Sequence, residues 1–124
     1  MFLVLKQPFF KITLILATAG FCIFPQTLIA DPMSLSQTEI DREIQAIPEW
    51  QQQDQTITRT FEFKNFVEAI AFVNELVEPA EAAGHHPDIA ISYNKVTISL
   101  TTHDAGGLTQ KDFELAKTIS QLAQ

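Results

Sequence analysis

Two short runs of alternating residues, set almost end to end, do most to decide what this chain can fold into. In the first, Ile89, Ile91 and Tyr93 alternate with Ala90 and Ser92. In the second, Val96, Ile98 and Leu100 alternate with Thr97, Ser99 and Thr101. A period of two with β-branched residues marks half-buried strands. Asn94-Lys95 between them suits a two-residue hairpin turn, because asparagine tolerates positive φ better than most residues. With that loop Tyr93 pairs with Val96, Ile91 with Ile98 and Ile89 with Leu100, so the apolar residues share one face. Extending the ladder sets His86 opposite His103.

The rest of the chain supplies the partners for this hairpin. Ser36-Gln-Thr-Glu39 reads as a capping box, followed by Ile40, Ile44 and Ile47 on one helical face, with Pro48 as the stop. A short strand over 50–53, a turn at Asp54-Gln55 and a second strand over 56–63 come next. Ile57, Arg59, Phe61 and Phe63 share a face, Arg59 lying there as an arginine whose stem packs while its head reaches an edge. Asn65 caps a second helix with an expected buried stripe of Phe66, Ile70, Val73 and Val77. Pro79 should kink that helix or interrupt its hydrogen bonding, and Gly84 ends it. Thr109-Gln-Lys-Asp112 opens a last helix with an apolar face of Phe113, Ala116, Ile119 and Leu122 or Ala123. The order helix, two strands, helix, two strands, helix predicts an α+β domain, an antiparallel sheet with helices on one face.

All three histidines, His85, His86 and His103, fall between Glu81 and Asp112. Histidine is the side chain whose ordinary pKa leaves both protonation states accessible near neutrality, which suits proton transfer in both directions, and three imidazoles are also a candidate zinc set. From the residues alone these two chemistries stand level. Adjacent residues of an extended chain point to opposite sides, which argues against His85 and His86 chelating one ion. Glu81 sits in the last turn of its helix, where a carboxylate opposes the helix dipole. Asp112 is the N3 residue of a cap and equally a candidate site residue.

The spacing is Glu81, three residues, His85-His86-Pro87, five residues, Tyr93, nine residues, His103, eight residues, Asp112. It resembles the motif of the pterin-4a-carbinolamine dehydratases (4a-hydroxytetrahydrobiopterin dehydratases). The flanking segments Phe61-Glu62-Phe63, Thr102-His103-Asp104, Gly106-Gly107-Leu108-Thr109 and Asp112-Phe113-Glu114-Leu115-Ala116 match as well, and the resemblance runs from about Ser34 to Gln124. It implies four strands and three helices in the order α-β-β-α-β-β-α, association into homodimers or homotetramers, and a pterin substrate. The implied reaction is loss of water from 4a-hydroxytetrahydrobiopterin to give the quinonoid dihydropterin, in tetrahydrobiopterin recycling, with no redox cofactor and no metal. It further implies His85, His86 and His103 as the catalytic set, with Glu81, Thr102 and Asp112 as substrate contacts or supports. Mammalian members also serve as dimerisation partners of a transcription factor, so a non-catalytic pterin-binding or dimerisation module is one alternative, and a three-histidine metal-binding domain is the other.

Composition narrows the remaining choices. A net charge of −7 and a pI of about 4.7 argue against a nucleic-acid surface and leave no basic patch for a membrane. Cys22 is the single cysteine, which excludes an intrachain disulfide scaffold and a cysteine-rich metal site. Residues 1–32 differ from the rest: Lys6 and Lys11 precede an apolar run from Ile12 to Phe24, and Leu28-Ile29-Ala30 precedes Asp31. That is the layout of a secretory signal peptide, removed before the protein works away from a membrane. The domain itself is assigned to 33–124. The protein is exported, periplasmic or secreted, if the leader is real. It is cytoplasmic if residues 1–32 are a misassigned upstream segment and translation starts at Met33.

Overall fold

The computed structural model describes residues 33–124; the leader expected over residues 1–32 lies outside the described residues. The elements run α1 (Gln37–Ile44), β1 (Gln51–Gln53), β2 (Thr56–Glu62), α2 (Phe66–Glu75), α3 (Val77–Ala83), β3 (Asp88–Ser92), β4 (Lys95–Leu100) and α4 (Gln110–Leu122), with a 3₁₀ turn at His103–Ala105 before α4. The strands form one antiparallel sheet in the order β1-β2-β4-β3. The element order is the one the sequence implies, with the second helix in two pieces.

The capping box holds α1 as expected. Glu39 Oε2 accepts from the Ser36 backbone N–H at 2.8 Å and from the Ser36 hydroxyl at 2.7 Å, and these bonds hold the Glu39 carboxyl below its ordinary value. Asn65 caps α2 by accepting from the Glu68 N–H at 2.9 Å. The break after α2 falls at Leu76, and Pro79 becomes the third residue of α3. In that first turn a missing N–H costs nothing, because the acceptor four residues earlier would lie outside α3.

The buried stripe of α2 differs from the expected one. Ala69, Phe72 and Leu76 are buried, whereas Phe66 is 50 % exposed and Val77 of α3 is 59 % exposed. Ile70 and Val73 are half-buried. Aromatic packing sets the helix phase: the Phe72 ring lies 5.0 Å from Phe61 and 4.9 Å from Phe63, centroid to centroid. Ala69 lets the helix approach the sheet closely.

The hairpin register also differs. β3 pairs with β4 as Ile91 with Val96 and Ile89 with Ile98, so the turn is Tyr93-Asn94 and the positive φ (54°) belongs to Tyr93. The expected pairings of Ile91 with Ile98, Ile89 with Leu100 and His86 with His103 do not form. Lys95 is already committed to the ladder, opposite both Ser92 and Glu62. Asn94 is tied to the end of β2, donating from Nδ2 to the Phe63 carbonyl at 2.6 Å and accepting from the Phe63 N–H at 2.9 Å. The shift is two residues, so every side chain keeps its face.

Beneath that face lies the core. Ile57, Phe61, Val96, Ile98 and Leu100 of the sheet meet Ile40, Ala69, Phe72, Leu76, Phe113, Leu115, Ala116 and Ile119 of the helices. Arg59 shares the face: its guanidinium lies 4.3 Å from the Phe61 ring centroid and donates to the Ser120 hydroxyl at 2.9 Å. Buried Trp50 donates to the same hydroxyl at 2.9 Å. On the opposite face hydroxyls pair across strands, Thr58 with Ser99 and Thr60 with Thr97. β3 is an outer strand with all five residues exposed, Ile89 to 39 % and Ile91 to 41 %. Among the described residues no helix is long and apolar enough to cross a membrane.

Candidate active site

The site is assembled by three chain reversals at one end of the sheet. The first is the end of α3. Gly84 adopts φ 55°, ψ 36°, the left-handed conformation that glycine takes without a Cβ penalty. The His85 N–H then donates to the Ala80 carbonyl at 3.1 Å, which aims the His85 ring inward while His86, its neighbour, stays outside.

The second reversal follows β4. Thr102 and Gly107 exchange backbone hydrogen bonds of 3.1 and 3.3 Å. The pinched loop between them presents His103 at the surface and buries the Thr102 side chain. The third is the start of α4, where the Asp112 carboxylate closes a capping box on Thr109.

These pieces converge on Asp112, which is 0 % exposed. Its Oδ2 accepts from the Thr109 N–H at 2.8 Å, the Thr102 hydroxyl at 2.8 Å and the Thr109 hydroxyl at 3.2 Å. Its Oδ1 faces His85 Nε2 at 2.7 Å. A carboxylate only accepts, so His85 carries a proton on Nε2 and its Nδ1 is the nitrogen left to exchange protons. One aspartate therefore caps a helix and fixes a histidine. Enclosed as it is, Asp112 reaches a ligand only through His85.

His86 Nε2 faces Glu81 Oε1 at 2.9 Å, a pair with 64 % and 70 % exposed side chains. A cleft of about 490 Å³ is lined by all three histidines together with Thr102, Asp104 and Lys111. That volume lies in the range of ordinary ligand sites. Glu81 lines instead a smaller apolar recess of about 180 Å³ beside Ile89, which His86 also borders. Of the residues predicted from sequence, the structure brings His85, His86, His103 and Thr102 to one cleft. It sets Asp112 behind His85, and Glu81 to one side behind His86. Lys111, like Asp104, lines the cleft without having been read from the sequence as a site residue. The signal for Lys111 was a cation in the first turn of a helix, next to a motif aspartate. Among the described residues no group of three or more histidine, cysteine or acidic side chains is placed to hold a metal ion.

The fold is an antiparallel sheet backed by helices, and its cleft gathers a histidine pinned by a buried carboxylate and two more imidazoles at one opening. The chain belongs to the pterin 4 alpha carbinolamine dehydratase family, whose model matches residues 33–122. A protein from a Picosynechococcus species that carries the provisional name pterin-4-alpha-carbinolamine dehydratase is 68 % identical over 88 residues, covering 71 % of this chain and 96 % of its own. One from a Cyanothece species with the same provisional name is 67 % identical over 90 residues, covering 73 % and 93 %. Among solved structures, one described as a transcriptional coactivator/pterin dehydratase from Brucella melitensis superposes with a TM-score of 0.71 at 32 % identity, covering 73 % of this chain and 99 % of that one.

Proposed function

We propose that the protein dehydrates a 4a-hydroxytetrahydropterin, with 4a-hydroxytetrahydrobiopterin as the substrate type, to the quinonoid dihydropterin and water. The observation that carries this is the three-histidine cleft with His85 anchored on Asp112; family membership supplies the substrate class. The reaction removes the 4a-hydroxyl and the proton on N5. An acid protonates the departing oxygen, the C4a–O bond breaks, the N5 lone pair forms the C4a=N5 double bond, and a base takes the N5 proton. Atoms and charge balance without an oxidant.

His85 and His103 form the acid–base pair in this proposal. His85 works through Nδ1, because Nε2 is engaged by Asp112. His103 lines the same cleft, is exposed, and exchanges protons with solvent after each turnover. His86 contacts the pterin, held in orientation by Glu81. Thr102 and Asp112 keep His85 in the working tautomer. The free outer edge of β3, with Ile89 and Ile91 exposed, is the surface through which copies associate into a homodimer or homotetramer. Location follows the start of translation, export with a cleaved leader or the cytoplasm from Met33, and the mass of the mature chain decides between them.

The test is the ultraviolet-followed dehydration of synthetic 4a-hydroxytetrahydropterin by wild type, His85→Ala and His103→Ala. Positioned acid–base groups contribute about 10²–10⁴-fold in rate, and each variant is expected to lose a factor of that order. Turnover unchanged in both variants ends the assignment. A folded wild type with no acceleration leaves a pterin-binding or dimerisation module, the role suggested by the coactivator description of the Brucella protein.

A further inference from the structure

Lys111 is out of place by ordinary helix electrostatics. It is the second residue of α4, where the dipole disfavours a cation. It is exposed and joins none of the ion pairs of the described residues. Carboxylates stand on both sides, Asp104 in the histidine cleft and Glu78 and Glu114 beyond it, none at ion-pairing distance. Lys111 also has a particular position. It borders the histidine cleft and a second groove of about 500 Å³ between α3 and α4, walled by Pro79, Ala82, Glu114 and Thr118. It is the residue the two depressions share.

The chemistry of the substrate says what lies at such a junction. The reacting atoms of a 4a-hydroxytetrahydropterin are C4a and N5, so the histidines hold that edge of the ring. C6 is bonded to N5, and its substituent leaves the ring immediately beside the reacting edge. A substituent of a few atoms departing from the histidines meets Lys111 and then the α3–α4 groove. The alternative path past His86 leads into the smaller recess walled mainly by Val73, Leu76, Val77, Ala80 and Ile89, whose two polar side chains, His86 and Glu81, are already paired with each other at 2.9 Å. The α3–α4 groove offers the Lys111 ammonium as donor and carboxylates as acceptors. Pro79 belongs to this wall.

We infer that Lys111 reads the C6 substituent of the pterin and that the α3–α4 groove receives it, selecting pterins with a hydroxylated side chain over those with a bare alkyl group. This rests on the dehydratase reading of the histidine cleft and assigns the specificity of the same site.

The experiment compares kcat/KM for the 4a-hydroxy forms of 6-dihydroxypropyl- and 6-methyl-tetrahydropterin in wild type, Lys111→Met and Lys111→Arg. It adds the binding of the corresponding non-reacting 7,8-dihydropterins, read from pterin fluorescence. A charge-assisted hydrogen bond supports a preference of about tenfold or more. Wild type is expected to favour the dihydroxypropyl compound by that factor in both measurements, Lys111→Met to lose the preference, and Lys111→Arg, which keeps a charged donor, to retain most of it. Lys111 is exposed, so Lys111→Met is expected to melt with wild type, and the ratio of two substrates cancels any general loss. An unchanged ratio in Lys111→Met overturns the inference. Absent turnover with a binding preference that moves with Lys111 keeps the inference and removes the reaction; absent turnover with no preference removes both.

Discussion

Asp112→Asn separates the two tasks of the buried carboxylate. Three donors converge on Oδ2, the Thr109 N–H and hydroxyl and the Thr102 hydroxyl, and one histidine nitrogen faces Oδ1 at 2.7 Å. An asparagine side chain has one oxygen. Placing it where Oδ2 stands preserves the cap of α4 and all three of those bonds. The amide nitrogen then occupies the Oδ1 position and presents N–H groups to His85 Nε2. To avoid two opposed donors the imidazole moves its proton to Nδ1, the nitrogen that faces the cleft. The cap survives and the base is lost. One charge-assisted bond disappears, worth about 1.5–3 kcal/mol. At about 4–8 °C per kcal/mol for a domain of this size, the expected fall in Tm is of order 10 °C. Asp112→Ala strips all four contacts and costs about 3–5 kcal/mol. The decisive assay is the nitrogen NMR spectrum of the His85 ring: wild type protonated on Nε2, Asp112→Asn protonated on Nδ1. Dehydration by Asp112→Asn is expected to drop about 10²–10⁴-fold with the protein still folded. An unchanged Nε2–H tautomer together with a rate near wild type would refute the assignment of Asp112 as the residue that positions His85.

Two further changes probe the frame around the site. Gly84→Ala adds a Cβ with no atom within 4 Å, so its cost is purely that of the left-handed backbone at φ +55°, about 1 kcal/mol by thermal unfolding; Gly84→Asn is expected to cost less, and equal losses would show that backbone conformation is not the cause. Glu43 accepts from Lys117 at 3.1 Å, tying α1 to α4, and that bond holds its carboxyl below the ordinary 4.5. A carboxyl lowered in the folded state stabilises fully above its unfolded value, and the contribution fades as pH falls through the lowered one. Lys117→Met is therefore expected to flatten the melting-temperature profile below about pH 4.5, and parallel profiles in wild type and mutant would exclude the contact as a source of acid sensitivity.

How much of this was legible in the sequence depended on whether a choice was local. The alternation of 88–100 named both strands and their inward faces, and the capping boxes at Ser36 and Thr109 stand where the pattern put them. The hairpin register failed because moving Ile89 from Leu100 to Ile98 satisfies the pleat equally well. What decides it is Asn94 gripping Phe63, a contact with a strand some thirty residues earlier. The face of α2 failed for a related reason. From Phe66 to Val73 the helix is apolar almost all round, and the choice between two stripes belongs to Phe72 stacking between Phe61 and Phe63. The site was legible as a set of spacings but not as a geometry. Nothing local says that Asp112 turns inward to His85 while Glu81 attends His86 at the surface. Lys111 escaped because a cation in the first turn of a helix is too weak a pattern to single it out; the shape around it gives it a place.

The interruption at Leu76 has a consequence for how the molecule moves. It leaves α3 as a separate piece of seven residues, about half the length at which a helix in water begins to hold itself together. Its order is borrowed from α4 and from the turn at Gly84. The sheet and α4 stay shut until the whole domain opens, but the piece carrying Glu81 and leading into His85 and His86 is positioned to open alone. In hydrogen exchange its amides at Ala80, Gly84 and His85 should trade with solvent well before those of β2 and β4. A ligand spanning the histidines and α4 clamps the loosest segment to the firmest, so part of its binding free energy goes into ordering α3. Occupancy of the cleft is thereby readable from an amide such as that of Ala80, which lies outside the cleft lining.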